Sequence, residues 1–430
     1  MAGMYSIRVV MMTSGERLPM LFNRESGLPL FAPTVYMLTE YRQKNRASNT
    51  IERVLREIEV LLIFLDAREI CLDERLQKGQ LLTLAEIDGL VRQCSLPTSE
   101  FKSLNEKLDE DVTRRALNVT KMERFRMRSS SKPPKGVSSV TAANRVRTIQ
   151  AYLLWQISQY LSHHDLSMAV RAEMASTKKF TEDALTERVP STKGRNIIGM
   201  REGASPDVLD RLLEVINALS PENPWLSSHA RIRNSLAICW LFKLGLRRGE
   251  LLTVKISDIN FQKEVVIIAR RPDDPNDPRK KQPKAKTRDR KIPLSPELAA
   301  ATHHYITKIR PTLSGARLHE FLFVSDRTGV PLELDTLNKV FRVLRKAIPE
   351  LPDDLTPHVL RHSWNDKFSE AVDKKGLSPD EEKKLRSFLM GWSDTSDSAM
   401  AYSRRHVRLK AQKVSLDMQA EMVREKKNES

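Results

Sequence analysis

The stretch TPHVLRHSW, Thr356 to Trp364, sets two histidines on either side of an arginine, and these residue types allow two chemistries. His358 and His362, at i and i+4, share a helix face and make half of a zinc site. His358 and Arg361, at i and i+3, make a grip for an anion instead, since a guanidinium stays charged and offers paired donors. The zinc reading needs a further ligand and, for a hydrolase, a Glu beside the first histidine, where Val359 stands. The anion reading needs other cations. It gains from Thr356 and Pro357, which read as an N-cap and first helical residue and so put the pair at the positive end of a helix.

Three other stretches carry residues of the same kind. In LGLRRGELL, Arg247 and Arg248 precede Glu250 at the start of an apolar periodicity. In RKKQPKAKTRDRKIPL, residues 279 to 294, a basic β-hairpin candidate with little acidic compensation holds Lys284, Lys286, Arg288 and Arg290. A run this basic between two strands suits a phosphate backbone. In LMGWSDTSDSAMAYSRRH, Trp392 and Tyr402 lie close in sequence. Taken singly, each has a plain structural reading: a solvated helix start, a solvated loop, a core tyrosine. Their order along the chain carries the weight.

These residues need elements to position them, and 430 residues suffice for two or three domains with full cores. Residues 1–33 mix short apolar runs with Gly and Pro, as a small hairpin or extended arm would. From Asn49, a plausible N-cap with Glu52 completing a capping box, Ile51, Val54, Leu55, Ile58, Leu62 and Leu65 recur at helical spacing. Thr83 with Glu86 opens another helix. A basic loop with Lys132 and Lys135 follows, and then a helix with Val146, Ile149, Leu153, Ile157 and Tyr160 on one face and Arg145 and Arg147 near its start. Residues 34–175 thus read as an all-helical domain with a basic edge. The polar stretch 176–204 reads as a linker. Ser205 as N-cap and Pro206 at the first helical position begin a second domain, 205–410. The stripe Val407, Ala411, Val414, Met418 and Met422, which leads from the second domain into the tail, 411–430, reads as packed against its own core.

A net charge of +17 favours polyanions as partners. The three cysteines are too few and too scattered for a disulfide framework or a Cys-rich metal site. The start of the chain lacks the features of a secretory signal, and no apolar run is long enough for a membrane span, so a cytoplasmic, nucleoid-associated protein without a membrane partner is expected.

The motifs GLRRGEL, KTRDRKIPL, HVLRH, GW and AYSRR, in that order over residues 205 to 410, resemble the signature of the tyrosine recombinase or phage integrase family. Residues 34 to 175 resemble its core-binding domain, with weaker motifs. The resemblance implies a mainly α fold with a small antiparallel β-sheet, in which a helical core-binding domain and a catalytic domain form a C-shaped DNA clamp. It implies that Arg247 and Arg361 hold the scissile phosphate and that Tyr402 is the nucleophile. Lys286 is the implied general acid, with Lys284 two residues away as the other choice. His358 shares proton transfer or holds a phosphate oxygen, and Trp392 stands where many members have a second histidine. Glu250 supports the site, and His362 packs beside it. Lys132, Lys135, Arg145, Arg147, Arg248, Lys284, Arg288 and Arg290 are the expected DNA-facing cations. Metal-independent cleavage through a 3′-phosphotyrosyl link would need no cofactor. Two rounds of strand exchange would need a homotetramer on double-stranded recombination sites, a monomer or weak dimer when free, with room for an accessory or partner recombinase. A type IB topoisomerase-like or telomere-resolving enzyme, and a non-catalytic DNA-binding relative, are the alternatives.

Overall fold

A computed structural model of the chain describes residues 4–101, 136–162, 166–192, 202–283, 287–393 and 404–428. Lys132, Lys135, Lys284, Lys286 and Tyr402 lie outside them. The fold is mainly helical with small antiparallel sheets, and it divides into two compact units, Met1–Met12 with Arg17–Ile197 and Thr13–Glu16 with Ile198–Ser430.

In the first unit, β1 (Tyr5–Met11) pairs antiparallel with β2 (Arg17–Asn23), Tyr5 opposite Asn23 and Met11 opposite Arg17, as the hairpin reading of the N-terminal residues expects. Helices α1 (Phe31–Tyr36), α2 (Ser48–Asp66), α3 (Leu72–Gln77), α4 (Leu84–Cys94), α5 (Ser139–Leu161) and α6 (Met168–Glu187) follow. The apolar stripe of α2, with Ile51, Val54, Leu55 and Ile58 fully buried, meets Ile149, Leu153 and Ile157 of α5 in one core. Helix α2 begins one residue before the expected cap: Ala47, in extended conformation, is its N-cap, and Asn49 lies inside the first turn. Backbone geometry at Ala47 decides the boundary over the capping preference of Asn49. Thr83 and Glu86 do form the reciprocal capping box of α4.

Two expectations change in this unit. Residues 176–187, read as linker, continue α6; its polarity is that of a helix burying only Met174, Thr181, Ala184 and Leu185. Arg145, expected to face DNA, donates through Nη1 to the carbonyls of Cys94 at 3.0 Å and Leu96 at 2.6 Å. It satisfies acceptors that the end of α4 leaves open. Arg147, two residues on, is exposed.

The second unit begins with α7 (Pro206–Ile216), capped by Ser205 with Pro206 at its first position, and continues through α8 (Ser228–Lys243) and α9 (Arg248–Thr253). A three-stranded antiparallel sheet follows, β3 (Ile259–Asn260), β4 (Val265–Ile268) and β5 (Arg290–Pro293), with Val266 opposite Ile292 and Ile268 opposite Arg290. Helices α10 (Pro296–His304), α11 (Leu334–Ala347), α12 (Pro357–Lys374), α13 (Pro379–Met390) and α14 (Arg404–Asn428) complete it. Helix α8 is buried nearly all round, with Leu236, Ala237, Ile238, Trp240 and Leu241 in the core.

The long β4–β5 connection is not the uniformly solvated basic run that its composition suggests. Arg279 is buried, with Nε 2.8 Å and Nη2 2.9 Å from the two carboxylate oxygens of Asp277, and it stacks 4.5 Å from the Phe321 ring. Lys255 pairs with Asp274 at 2.7 Å and Arg271 with Asp258. Asp274 and Asp277 of PDDPNDP are buried and each meets one of these cations, while Arg271 is matched by Asp258 from the turn before β3.

The tail also departs from expectation. Helix α14 crosses the expected boundary at residue 410, and Val407, Val414 and Met418 are 59%, 55% and 51% exposed, so the stripe is not packed on the core of its own chain. Arg408 pairs with Glu202 and Lys410 with Asp373. No helix of the described residues is long and apolar enough to cross a membrane.

Candidate active site

Four elements of the second unit meet at one carboxylate. The turn between α8 and α9 depends on Gly245, at φ +60°, where an added Cβ would lie 2.8 Å from the Trp364 ring. Arg247 then caps α9: its backbone N–H donates to Glu250 Oε2 at 3.1 Å and its Nη1 to Oε1 at 3.2 Å. From the β5 side, Arg290 Nη2 donates to Oε2 at 2.8 Å and Thr287 Oγ1 to Oε1 at 2.8 Å. From α12, Arg361 Nη1 lies 3.7 Å from Oε2 and donates to the Gly245 carbonyl at 2.5 Å.

Helix α12 starts as its sequence dictates, with the Thr356 hydroxyl accepting from the Val359 N–H at 3.4 Å and Pro357 in the first turn. This places exposed His358 one turn before buried Arg361. His362 is buried, its ring 4.7 Å from that of His358 and edge-on to it. Trp392 arrives from α13, which ends on Gly391 at φ +65°. A Cβ there would meet the Arg288 carbonyl at 2.8 Å, so only glycine lets this turn seat against β5. The Arg361 guanidinium sits 5.5 Å from the Trp392 ring.

Electrostatics follow from this packing. Burial pushes the Glu250 carboxyl up, but the charges of Arg290, Arg361 and Arg247 and the Arg290 hydrogen bond outweigh it and hold the group at about 2. Glu250 is therefore ionised at neutral pH and draws together three guanidinium groups. The Arg247 side chain keeps 26% exposure, so this cationic center opens to the surface where His358 also stands. Two arginines, an imidazole and an indole N–H can hold and polarise an anion with several oxygens, such as a phosphodiester.

Of the residues named from sequence, the structure brings Arg247, Glu250, Arg361 and Trp392 together, with His358 and His362 on the adjoining turn of α12. It sets Arg248 apart, exposed and donating to Asn338 at 2.8 Å. Arg288 is exposed. Arg290, expected to face DNA, is instead interior, its side chain 2% exposed and its Nε donating to the Leu389 carbonyl at 2.6 Å. The signal was present: Arg290 shares a strand face with buried Ile292, two residues on. Thr287 was missed, and so was Asn365, which donates to the Arg361 carbonyl at 2.8 Å and is itself held by buried Arg386. Nothing in the sequence marks those two as neighbours. Among the described residues no three His, Cys, Asp or Glu side chains are grouped to hold a metal ion.

Residues 205–407 match the sequence model of the phage integrase family. The chain is 25% identical over 253 residues to the tyrosine recombinase XerD of Staphylococcus haemolyticus, a match covering 54% of this chain and 79% of that protein. It is 29% identical over 133 residues to the tyrosine recombinase XerA of Pyrococcus horikoshii, covering 31% of this chain and 40% of that protein. Among solved structures, the crystal structure of XerA recombinase aligns over 69% of this chain and 91% of that one, at 20% identity and a TM-score of 0.35.

Proposed function

We propose that this chain, whose residues 205–407 match the phage integrase family, is a tyrosine recombinase that breaks and rejoins DNA, and more narrowly a site-specific DNA recombinase. The observation that carries this reading is the convergence of Arg247 and Arg361, from α9 and α12, on the single carboxylate of Glu250. Two guanidinium groups fixed in this way can grip both non-bridging oxygens of a phosphodiester and take up the charge that grows on them in the transition state. Tyr402 attacks phosphorus, forms a 3′-phosphotyrosyl link and releases a 5′ hydroxyl. Lys286 protonates that leaving oxygen, His358 shares proton transfer, and the Trp392 indole donates to a phosphate oxygen but moves no proton. The hydroxyl of a partner strand reverses the step without metal or nucleotide, because the bond energy is kept in the linkage.

The partner is double-stranded DNA. The net charge of +17 favours it, with exposed Arg147, Arg248 and Arg288, together with Lys132, Lys135 and Lys284, as backbone contacts. Exchange between two duplexes needs four such sites, hence a homotetramer on DNA that integrates, excises or resolves a DNA element. A nicked suicide duplex carrying a candidate site tests the reading. Wild-type protein should become covalently joined to the DNA, the phosphotyrosyl peptide should contain Tyr402, and Tyr402→Phe should abolish the adduct. An adduct with no exchange between two sites on one plasmid would point to DNA relaxation instead. An unchanged Tyr402→Phe protein would refute the reading.

A further inference from the structure

Where α8 ends and the turn to α9 begins, two backbone carbonyls are taken by side chains of α12. The Trp364 indole N–H donates to the Lys243 carbonyl at 3.0 Å, and Arg361 Nη1, one turn earlier on the same helix, donates to the Gly245 carbonyl at 2.5 Å. A Cβ added at Gly245 would meet the Trp364 ring at 2.8 Å and Met390 Cε at 3.0 Å, so the backbone that leads into Arg247 lies directly on both side chains. Met390 is fully buried and stands two residues before Trp392. Trp364, Met390 and Trp392 pack together in a small apolar cluster, separate from the main core of this unit. Phe368, one turn further along α12, stacks on the Trp364 ring with centroids 5.2 Å apart and planes inclined by 15°. Trp364 itself is only half-buried. One indole therefore touches the turn that carries Arg247, shares a helical turn with Arg361, and packs against the end of α13 that delivers Trp392.

We propose that Trp364 is a positioning residue for the phosphate grip: its indole is the plate on which the Gly245 turn and Met390 seat, and it thereby registers Arg247, Arg361 and Trp392 against one another. This rests on the cleavage reaction proposed above. The role needs neither contact with DNA nor transfer of a proton. Glu250 draws the two guanidinium groups together by charge, but a charge sets no direction of approach. The indole supplies it: the ring supports the backbone from which Arg247 departs, and the bond to the Lys243 carbonyl fixes how the ring lies. A paired hold on two phosphate oxygens tolerates little error, since a misplacement of about 1 Å costs on the order of 100-fold in rate. Removing the ring takes support from the Gly245 turn and from Met390 at once. Trp364→Ala should therefore slow single-turnover cleavage by roughly 10- to 100-fold at saturating protein.

A substrate that asks less of the guanidinium groups separates this role from a merely structural one. Replacing one non-bridging oxygen of the scissile phosphate by methyl removes a negative charge and leaves a single such oxygen to hold, so a misplaced or missing arginine matters less. Full-length wild type, Trp364→Ala, Trp364→Phe and Arg361→Ala would each be given two nicked suicide duplexes, one with the ordinary phosphate and one with a methylphosphonate at the cleavage position, and strand cleavage timed. Arg361→Ala sets the scale of the relief. The expected result is that Trp364→Ala follows it: slowed roughly 10- to 100-fold with phosphate, and by a factor at least about 3 times smaller with methylphosphonate. Trp364→Phe, which keeps a ring but loses the N–H, should cleave the phosphate faster than Trp364→Ala. Equal slowing of Trp364→Ala on both duplexes, no slowing with phosphate, or a phenylalanine variant no faster than the alanine one would overturn the inference. Thermal melts accompany each variant, and Trp364→Leu is judged by the same criterion should the alanine protein not fold. Absence of cleavage by wild type on the phosphate duplex would remove the cleavage reaction and this role with it, an outcome distinct from an active wild type with an indifferent Trp364 variant.

Discussion

Two groups of buried charge in the second unit are built differently. Beneath the β4–β5 connection, cations are matched by carboxylates: Arg279 by Asp277, Lys255 by Asp274, Arg271 by Asp258. Around Glu250, one carboxylate meets three guanidinium groups, those of Arg247, Arg290 and Arg361. Taking charges out of water is costly, and a matched pair repays that cost internally. The first group is closed by its own ion pairs and fastens a loop. In the second, the carboxylate carries one negative charge against three positive ones, a bias that suits a phosphate arriving from outside. The contrast separates cations matched within the fold from a centre where guanidinium groups outnumber the carboxylate they share.

Removing the carboxylate should give the largest effect. Glu250→Ala leaves three guanidinium groups crowded around a cavity, and urea unfolding should show a loss of about 3–5 kcal/mol, the range for breaking a buried pair. Asp277→Ala strands Arg279, which still donates to the Leu252 and Leu332 carbonyls, so its loss should be smaller. Equal losses would break the distinction. In cleavage the order should be sharper still. Arg361→Ala should slow single-turnover adduct formation by about 100- to 1,000-fold, whereas Asp277→Ala, assayed well below its melting temperature, should cleave at close to the wild-type rate.

Acid titration gives the next effect. The folded Glu250 carboxyl, held at about 2, lies below its usual value. Its contribution to stability is therefore complete above the unfolded carboxylate range near about 4.3 and is lost as pH falls toward 2. The loss is on the order of 3 kcal/mol across that window. Urea midpoints measured from pH 5.5 down to 2 should fall in wild type more steeply than in Glu250→Gln.

The smallest effect repeats the contrast at the scale of single residues in the first unit. Arg147 is exposed, so Arg147→Ala should reduce the slope of log affinity against log salt for DNA by about 1, with the melting temperature unchanged. Arg145 serves the carbonyls at the end of α4, so Arg145→Ala should leave that slope alone and lower stability by about 1 kcal/mol.

Local rules read well from the sequence wherever the cause is local. The starts of α4 and α12 follow from Thr83 with Glu86 and from Thr356 with Pro357, because a cap and the turn it closes are three residues apart, and that of α7 follows from Pro206 at its first position. The grouping of Arg247, Glu250, Arg361 and Trp392 was legible through the order of motifs rather than through any spacing between them. Where reading failed, long side chains were the reason. Arg145, Arg279 and Arg290 each look like a solvated cation, yet each bonds acceptors from elsewhere in its unit, 49 to 51 residues away for Arg145 and 40 for the Arg290 bond to Glu250. The tail stripe failed in the opposite sense: its spacing is helical and α14 is a helix, but periodicity does not say which surface, if any, covers it.

The sequence by itself determined the mainly helical character, the starts of several helices, the positive charge, and the order of motifs that resembles the family signature. These depend on residue type and on neighbours within a turn or two. Only the tertiary structure decided which arginines are closed in ion pairs and which gather at one carboxylate, and that Glu250 is the point where α9, α12 and the β4–β5 connection meet through Arg247, Arg361, Thr287 and Arg290. The physical reason is that a guanidinium carries the same charge wherever it stands. Burial and the count of carboxylates around it, both set by packing between distant segments, determine whether that charge is consumed within the fold or turned toward a ligand.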